Sequence, residues 1–438
     1  MKKLLKKIVP EKLLSTYHYL EALAAALWYG FPSRRMVVIG ITGTKGKTST
    51  ANFVWSCLSA GDVPTGIITT ANIRIGKKEI LNAYHMTMPG PFTIQRLLRR
   101  MVATGCTHCV IETTSEGIKQ HRHVGIEYDV AVFTNLFPEH LPSHGGSFER
   151  YKEVKGRMFS ALTDHVQKVF GGKPIEKIII ANGDSEHAAY FLSFPANKKL
   201  TYAVKVPADV QAHGIQSSAA GVTFSVGNTI FSLSIPGAFN VSNALPAIVV
   251  SRACGVDDAS IARGLEQLAL IPGRMEKIDE GKDFAVFVDY AHEGESMRQV
   301  LETGGALRTS GGKVIVLLGA EGGGRDEAKR PAMGKLTGTM ADYVVVSNVD
   351  PYDDDPQEIL EDIARAAEAA GKKRDTDLFV IEDRRTGIKK ALSLAKPHDV
   401  VLITGKGAEQ SIVIGGRHFP WDDRKVVREE LHKRTSTH

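Results

Sequence analysis

The sequence predicts an α/β protein with two sheet-based domains, and three observations support this prediction. The chain has 438 residues, which is too long for one hydrophobic core. Short apolar, β-branched runs alternate with helical stretches from residue 36 to about 185, and a second such series follows a linker at 271–274. This alternation is typical of parallel sheets covered by helices. Between the two series, residues 199–236 form shorter alternating segments that favour a small antiparallel patch.

The apolar runs give the expected strands of each domain. We expect a helical segment at 1–35, a central phosphate-loop domain at 36–272 and a C-terminal Rossmann-like α/β domain at 273–438. The predicted strands of the central domain are 37–42, 65–70, 109–113, 130–135 and 177–181, and those of the C-terminal domain are 284–290, 314–319, 343–348, 378–381 and 400–404.

Composition and charge narrow the class of protein. Apolar residues make up 43% and charged residues 24% of the chain, as in an ordinary globular protein, and four scattered cysteines fit a reducing cytoplasm. The net charge is +6, and residues 1–35 carry seven Lys or Arg against two Glu, which is +5. The remainder is nearly neutral, which argues against a broad nucleic-acid surface. The basic segment suits either an amphipathic helix on an anionic membrane or a hairpin packed on the following domain.

The segment Gly43-Thr44-Lys45-Gly46-Lys47-Thr48-Ser49 predicts a phosphate-binding loop. It lies between a predicted strand and a predicted helix, so that its backbone N–H groups and the helix dipole favour an anion. The spacing is shorter than the strict phosphate-loop pattern, which would need glycine where Ile41 stands. Lys47 is expected to reach the terminal phosphates of ATP, and Thr48 to offer a hydroxyl to Mg²⁺.

Further polar groups follow other predicted strands, where open α/β sheets place their ligands. Glu112 could share Mg²⁺ with Thr48, or it could only complement a helix dipole. The loop 133–145 contains Glu139 and His140, whereas Lys155 by itself would be interpreted as a solvated helix lysine. In the C-terminal domain, polar or glycine-rich stretches follow three strands, at 289–292, 319–326 and 404–409.

Taken together, these segments resemble the Mur ligases, which build the peptide of bacterial cell-wall precursors, and in particular the MurE group. The resemblance covers residues 36 to about 425, and its motifs recur in family order. They are 43–48, Glu112 with 114–117, 134–136 with 139–141, Lys155, 239–244, 272–276, 289–292, Arg325-Asp326 with 329–331, Asp383-Arg384, and 405–407 with Glu409.

The resemblance implies an ATP-dependent ligase that forms an amide through an acyl phosphate. It implies two Mg²⁺ ions, the first held by Thr48 and Glu112 and the second by His140 and a carbamylated Lys155. Lys47, His140 and Lys155 would be the catalytic residues. The residues implied to contact ATP are 43–49, Asn240 and Asn243, with Arg274, Asp289 and His292 on ribose and phosphate, and those implied to contact the muramoyl-dipeptide are Thr87, Ser115 and Arg122.

Departures from the family pattern concern the added amino acid and the acceptor. Diaminopimelate-adding members carry Asp-Asn-Pro-Arg, but here Asp350 and Tyr352 fall in that motif, and Tyr352 cannot grip a distal carboxylate in a bidentate way. The acidic residues 350–355 would suit a cationic side chain, or they form a solvated turn. Gly405 and Glu409 keep the family's last motif, with Ala408 in place of histidine. The 35 residues before the resemblance are too few for the family's uridine-binding domain, so a lipid-linked acceptor is an alternative.

Three functions remain open from the sequence. The leading hypothesis is a monomeric cytoplasmic ligase that joins a free amino acid to a muramoyl-peptide. A second is a related ligase that extends another acid, such as a folate or a polyamino acid. The third is an ATP-binding scaffold that does not ligate.

Overall fold

The computed structural model describes residues 10–435 except 77, 85, 140, 166, 171, 219, 310, 325 and 326, with no side chains described at 434 and 435. The described chain divides into two compact units. The first runs to Ile215 and includes Thr223–Leu233 and Asn240–Leu268; the second comprises Gln216–Val222, Ser234–Phe239 and the chain from Ala269 onward.

The first half of the chain builds one large sheet and the helices around it. Its helices are α1 (Glu11–Trp28), α2 (Lys47–Ala60), α3 (Pro91–Ala103), α4 (Ser115–Lys119), α5 (Phe148–Ser160), α6 (Ala188–Leu192), α7 (Phe239–Ala253) and α8 (Asp258–Gln267), with 3-10 turns at Pro32–Arg35 and Leu141–His144. Its strands are β1 (Val37–Thr42), β2 (Thr65–Ile68), β3 (Asn72–Ile75), β4 (Lys78–Leu81), β5 (His108–Glu112), β6 (Val130–Phe133), β7 (Val169–Phe170), β8 (Lys173–Pro174), β9 (Ile178–Asn182), β10 (Lys198–Ala203), β11 (Val210–Gln211), β12 (His213–Ser218), β13 (Gly221–Val226) and β14 (Thr229–Leu233).

Strand β1 lies in the middle of the large sheet. Within the described residues the order is β11-β10-β9-β6-β1-β5-β2-β3-β4, and β1 pairs in parallel with both β5 and β6. All six residues of β1 are buried, as expected for a parallel strand covered by helices on both faces. The loop after β1 therefore opens at the carboxyl edge of the sheet, next to the ends of β5 and β6.

The expected antiparallel patch at 199–236 is only partly correct. Strand β10 instead pairs in parallel with β9 and extends the large sheet, and β11 follows it in parallel. A three-stranded sheet of β12, β13 and β14 forms the remainder of the segment. At the other edge, β3 pairs antiparallel with both β2 and β4, a hairpin that the sequence did not indicate.

The second unit contains a mostly parallel sheet, as the second series of apolar runs predicts. The sheet has the order β15-β16-β20-β17-β18-β19, in which only the short β15 is antiparallel to its neighbour. The elements are β15 (Glu276–Lys277), β16 (Ala285–Asp289), α9 (Gly294–Leu307), β17 (Val314–Leu318), α10 (Lys329–Met340), β18 (Tyr343–Val346), α11 (Pro356–Ala369), β19 (Leu378–Val380), α12 (Arg384–Leu394), β20 (Val400–Thr404), β21 (Ser411–Ile414), β22 (Arg417–Pro420) and α13 (Asp423–Thr435).

A buried arginine fastens the carboxyl edge of this sheet. The Arg384 side chain donates to both carboxylate oxygens of Asp423, to the carbonyl of Asn348 and to the carbonyl of Thr404. It joins the ends of β18 and β20 to α13, so the loops after these strands start from fixed positions.

Candidate active site

The loop after β1 is held in place by the segment that follows β6. The backbone N–H of Thr44 donates to the carbonyl of Asn135, and that of Lys45 donates to the Asn135 side chain, each at 2.8 Å. The Thr134 hydroxyl donates to the Lys45 carbonyl at 2.8 Å. These bonds within the protein fix the loop, which favours a preorganised phosphate site.

Two glycines are required in this loop for space as well as for conformation. Gly43 has φ 149°, and a Cβ there would lie 2.0 Å from the Thr134 hydroxyl. Gly46 has φ 77°, and a Cβ there would lie 2.1 Å from Oδ1 of Asn243. Asn243 also donates to Asn240 at 3.0 Å, so both predicted asparagines of α7 are buried close to the phosphate loop.

The hydroxyl and the carboxylate expected to bind Mg²⁺ lie side by side. Thr48 Oγ1, in the first turn of α2, donates to Glu112 Oε2 at 2.9 Å, and Glu112 ends β5 almost completely buried. The same carboxylate oxygen accepts from the backbone and the hydroxyl of Thr70 at 2.9 and 3.1 Å. Hydroxyl and carboxylate oxygens are ligands that Mg²⁺ prefers, with water and phosphate completing its shell, so these residues fit the ion.

The described residues contain no group of three His, Cys, Asp or Glu side chains that could hold a metal alone. A magnesium ion that is bound together with a nucleotide takes some of its ligands from the phosphates, so it does not need three protein side chains. His140, predicted as a ligand of the second ion, lies outside the described residues.

Lys155 is buried beside the phosphate loop. Its side chain is 1% exposed and donates to the carbonyl of Gly43 at 2.8 Å, with the ammonium 4.6 Å from the centre of the Tyr151 ring. Burial and the nearby charge of Lys47 hold the pKa of Lys155 well below its ordinary value, although Glu139 and Glu112 oppose this shift. A buried lysine with a lowered pKa is typical of a reactive amine and not of a solvated helix residue.

Lys45 and Lys47 occupy different positions in the loop. Lys45 Nζ lies 2.9 Å from Oε2 of Glu139, so its charge is directed to the loop after β6. Lys47 Nζ donates to the carbonyl of Thr44 at 2.8 Å and thus lies over the phosphate loop. The geometry therefore suits Lys47, and not Lys45, for contact with a bound phosphate. Ser49 follows in α2 and is buried.

Of the residues predicted for the acceptor, Thr87 is linked to the Glu112 carboxylate. Thr87 Oγ1 is 2.7 Å from Thr70 Oγ1, which links it to Glu112 through one residue. Ser115 begins α4, and Arg122 donates to the carbonyl of Met88, one residue after Thr87. Thr87 and Arg122 are thereby brought to one region of the first unit.

In the second unit, Asp289 positions the segment that carries Arg274. Its two oxygens accept from the backbone N–H groups of Met275 and Ala291, both at 2.7 Å. The Arg274 guanidinium lies 4.4 Å from the centre of the Tyr290 ring, and the His292 ring packs on the same tyrosine at 4.6 Å. The three predicted residues are therefore close together, but Asp289 supports the others through the backbone.

The acidic residues near Tyr352 have partners inside the protein. Asp350 accepts from Lys406 at 2.7 Å and from the backbone of Val413 at 2.8 Å. Asp354 accepts from the backbone of Gly323, and Asp355 caps α11 through the backbone of Gln357. Asp353 and Asp355 are exposed, and Asp355 caps the next helix, as expected for a solvated turn before a helix. Asp350 departs from that expectation, because it is buried and paired with Lys406.

Lys406 joins these residues to the predicted Glu409. Lys406 is 0% exposed and donates to Glu409 as well as to Asp350, while the Tyr290 hydroxyl donates to Glu409 at 3.0 Å. Burial alone would lower the pKa of Lys406, but the charges of Glu409 and Asp350 outweigh it and raise that pKa. Gly405, with φ 107°, starts the turn, and Tyr352, with φ 55°, lies against Gly323 of the glycine-rich loop.

Sequence reasoning did not assign a role to Thr70, Tyr290 or Lys406. Thr70 follows β2, a neighbour of β5, so its position after a parallel strand was a usable signal. Tyr290 and Lys406 lie within motifs that were recognised, but their burial and their partners depend on which strands are neighbours in the sheet.

Comparison with known proteins identifies the family. Residues 41–251 match the Mur ligase middle domain, and residues 273–407 match the Mur ligase glutamate ligase domain. The chain is 38% identical to a UDP-N-acetylmuramyl-tripeptide synthetase of Roseiflexus sp. (strain RS-1), over 93% of this chain and 81% of that protein. It is 35% identical to a UDP-N-acetylmuramoyl-L-alanyl-D-glutamate–2,6-diaminopimelate ligase of Caldanaerobacter subterraneus subsp. tengcongensis, over 94% and 81%.

Solved structures show the same architecture. A UDP-N-acetylmuramoyl-L-alanyl-D-glutamate–2,6-diaminopimelate ligase matches with a TM-score of 0.60 and 28% identity, over 91% of this chain and 79% of that one. A Mycobacterium tuberculosis folylpolyglutamate synthase, complexed with ADP and AMPPCP, matches with a TM-score of 0.70 over 88% and 92%, but its 19% identity shows the fold alone. The resemblance expected from the motifs is confirmed: this chain belongs to the Mur ligase family of ATP- and Mg²⁺-dependent, amide-forming ligases.

Proposed function

We propose that this ligase joins a free amino acid to the terminal carboxylate of a muramoyl-peptide, as a MurE-like tripeptide-forming enzyme. One observation supports this most directly. Glu112, the carboxylate beside the phosphate loop, is linked through Thr70 to Thr87, which the family resemblance assigns to the muramoyl-dipeptide. The residues for phosphate, metal and acceptor thus adjoin one another within the first unit.

The reaction needs positioning and charge neutralisation more than covalent help from the protein. A carboxylate oxygen of the acceptor attacks the γ-phosphorus of ATP, which gives an acyl phosphate and releases ADP. The amine of the amino acid attacks the acyl carbon, phosphate leaves, and the amine gives up a proton as the amide forms. Lys47 and the phosphate-loop N–H groups would neutralise the charge on the transferred group. Thr48 and Glu112 would hold a Mg²⁺ ion, which would supply further positive charge at this site.

Lys155 is proposed to act as a carbamate. Its low pKa favours the neutral amine, which is the form that reacts with CO₂, and the product is an oxygen-rich anion able to bind a second Mg²⁺. The carbamate would also remove the unfavourable proximity of Lys155 to the charge of Lys47. His140 is proposed as its co-ligand by family resemblance.

In the second unit, the cluster around Tyr290 is proposed to bind substrate. Arg274 and His292, both half-buried, pack on Tyr290 and are proposed to contact the nucleotide, whereas Asp289 positions them. Gly405, Glu409 and Tyr352 are proposed to contact the amino acid. Because Asp350 and Asp354 already have partners, we do not assign them to a cationic side chain, and Tyr352 disfavours a distal carboxylate such as that of diaminopimelate.

Phosphate release, measured over a matrix of acceptors and amino acids, tests the proposal. The acceptors are UDP-muramoyl-dipeptide, its lipid-linked form, a folate and an oligoglutamate, each with Lys47→Ala as the inactive control. We expect release to require a muramoyl acceptor together with one amino acid. Release with folate or oligoglutamate alone would support the second candidate function, which the fold of the folylpolyglutamate synthase makes worth testing. Equal turnover by wild type and Lys47→Ala with every acceptor would support the third candidate function, an ATP-binding scaffold that does not ligate.

The partners and location follow from this proposal. The chain would act as a monomer on a precursor and a free amino acid in the cytoplasm, and the peptide it extends would enter cell-wall synthesis. Sedimentation with and without substrate measures the oligomeric state.

A further inference from the structure

Helix α1 presents an apolar stripe to the outside of the protein. Leu13, Tyr17, Leu20, Ala24 and Leu27 follow one another at intervals of four and three residues, which places them on one helix face. The four large side chains are 62%, 59%, 56% and 61% exposed in that order, and Trp28 beside them is 79% exposed. An exposed, continuous apolar stripe of this kind marks an interaction site more often than a scatter of single residues does.

The opposite face of α1 is already used, so the helix cannot roll to bury this stripe without breaking contacts. Ala22, Ala25 and Ala26 are fully buried, and Ala26 lies where a side chain on Gly125 would have to be. The Ser15 hydroxyl lies 2.8 Å from Nε2 of His121. The small residues thus face the protein and the large apolar ones face outward, the reverse of an ordinary surface helix.

Basic residues flank α1 along the chain and are exposed on the helix that packs against it. Helix α3 packs against α1 and exposes Phe92, Arg96, Arg99 and Arg100, and among the described residues no carboxylate pairs with these arginines. In the sequence, four lysines precede α1 and two arginines follow it: Lys2, Lys3, Lys6, Lys7, Arg34 and Arg35. Of these, Arg34 is paired with Glu127 at 2.6 Å. The acidic residues of α1 are Glu11 and Glu21, which leaves the segment 1–35 with a charge of +5.

We propose that the docking face, defined as the stripe of α1 with the exposed arginines of α3, binds the surface of an anionic lipid bilayer. Apolar side chains would enter the interface while the basic groups meet the anionic headgroups, and Trp28 and Tyr17 suit this boundary. Charge argues against a second copy of this chain, because a symmetric contact would bring two positive faces together. In the described part of the chain, no helix has the length and apolar character needed to cross a membrane, so binding would be peripheral.

The position of the docking face gives this binding a consequence for the ligase. His121, which contacts α1, immediately precedes the predicted acceptor residue Arg122. Docking would place α1 on the bilayer with the segment that carries Arg122 directly behind it, and a lipid-linked acceptor would be met at that membrane. This consequence rests on the proposed function, but bilayer binding itself does not.

Co-sedimentation with lipid vesicles tests the proposal on the full chain. One set of vesicles contains only phosphatidylcholine, and the other also contains phosphatidylglycerol. The test variant is Leu13→Glu/Leu20→Glu/Leu27→Glu. The matched control is Val169→Glu/Val206→Glu/Ile230→Glu, which makes the same charge change at three exposed apolar residues of the first unit. Circular dichroism and thermal unfolding check that both variants are folded, and sedimentation velocity without vesicles reports self-association.

We expect wild type and control to bind the anionic vesicles, with salt weakening the binding, and the stripe variant to bind at least about tenfold more weakly. Failure of wild type to bind anionic vesicles would overturn the proposal, as would equal binding by a folded stripe variant. A dimer that the stripe variant breaks, without vesicle binding by wild type, would assign the face to a second copy. If the stripe variant does not fold, Arg96→Glu/Arg99→Glu/Arg100→Glu replaces it with the same expected loss. All these outcomes are independent of ligation.

Discussion

Two buried lysines, one in each unit, are held in opposite ways. Lys155 donates to the Gly43 carbonyl, and no carboxylate of the described residues forms an ion pair with it; its pKa is lowered. Lys406 lies between Asp350 and Glu409, and its pKa is raised. The two side chains are buried to a similar degree, so their hydrogen-bond and ion-pair partners decide whether each lysine is charged. The first environment favours a neutral, reactive amine, and the second favours a permanent cation that stabilises loops.

The largest expected effect is the loss of ligation in Lys155→Ala. Because the substitution removes the amine that is proposed to carry the carbamate and to bind a second ion, we expect phosphate release to fall by about a thousandfold or more. Lys152→Ala, on the same helix but paired with the exposed Glu149, is the control and should remain active. Depleting CO₂ should lower wild-type activity and added bicarbonate should restore it. Activity independent of CO₂ would contradict the carbamate.

Replacing Lys406 should lower the stability of the second unit. Lys406→Met leaves Asp350 and Glu409 buried without their cation, and we expect a loss of about 3–5 kcal/mol in the free energy of unfolding of the second unit. Lys425→Met, at a 77% exposed lysine, should change it by less than about 0.5 kcal/mol. Denaturant unfolding, with hydrogen exchange to locate the change near β20, measures both. A Lys406→Met variant as stable as the control would show that the cluster is not structural.

The two lysines should also respond oppositely to alkaline pH. The folded pKa of Lys155 lies below its ordinary value of 10.5, so this group destabilises the fold near neutrality, and the cost disappears as pH rises to 10.5. The folded pKa of Lys406 lies above 10.5, so its contribution is complete below that pH and is lost as pH rises through the folded value. Unfolding of wild type, Lys155→Met and Lys406→Met in CO₂-depleted buffer measures the differences. Parallel pH profiles for the two variants would contradict this assignment.

The smallest expected effect concerns Thr70. Thr70→Val removes the hydroxyl that links Glu112 to Thr87, while the backbone N–H to Glu112 remains, so we expect about a tenfold loss in kcat/KM for the acceptor. Thr65→Val is the matched control, because the Thr65 hydroxyl only bonds the nearby Val63 carbonyl. A loss of ATP affinity without a change in acceptor kinetics would place Thr70 in the metal site alone.

The sequence by itself determined the phosphate loop, the order of the motifs and the two parallel sheets. These features are local or periodic: a glycine turn between strand and helix, and apolar runs whose spacing reflects burial on both faces. The sequence placed Glu112 at the end of a strand and Thr48 at the start of a helix, but it left open whether Glu112 would share Mg²⁺ with Thr48 or only complement a helix dipole. The structure brings the two side chains together. The hairpin of β3 and β4 could not be predicted this way, because each strand has only four residues, polar residues interrupt β3, and the edge strand β4 is not buried.

Only the tertiary structure decided what the charged residues do. Lys155 and Lys406 have the same chemistry in the sequence, but distant segments supply a carbonyl to one and two carboxylates to the other. Asp350, Asp354 and Asp355 look like one acidic patch along the chain, yet each bonds a different partner. The exposure of the apolar stripe of α1 likewise depends on which face of the helix packs against the rest of the protein. Electrostatic roles depend on distance and burial in space, and the linear sequence encodes neither directly.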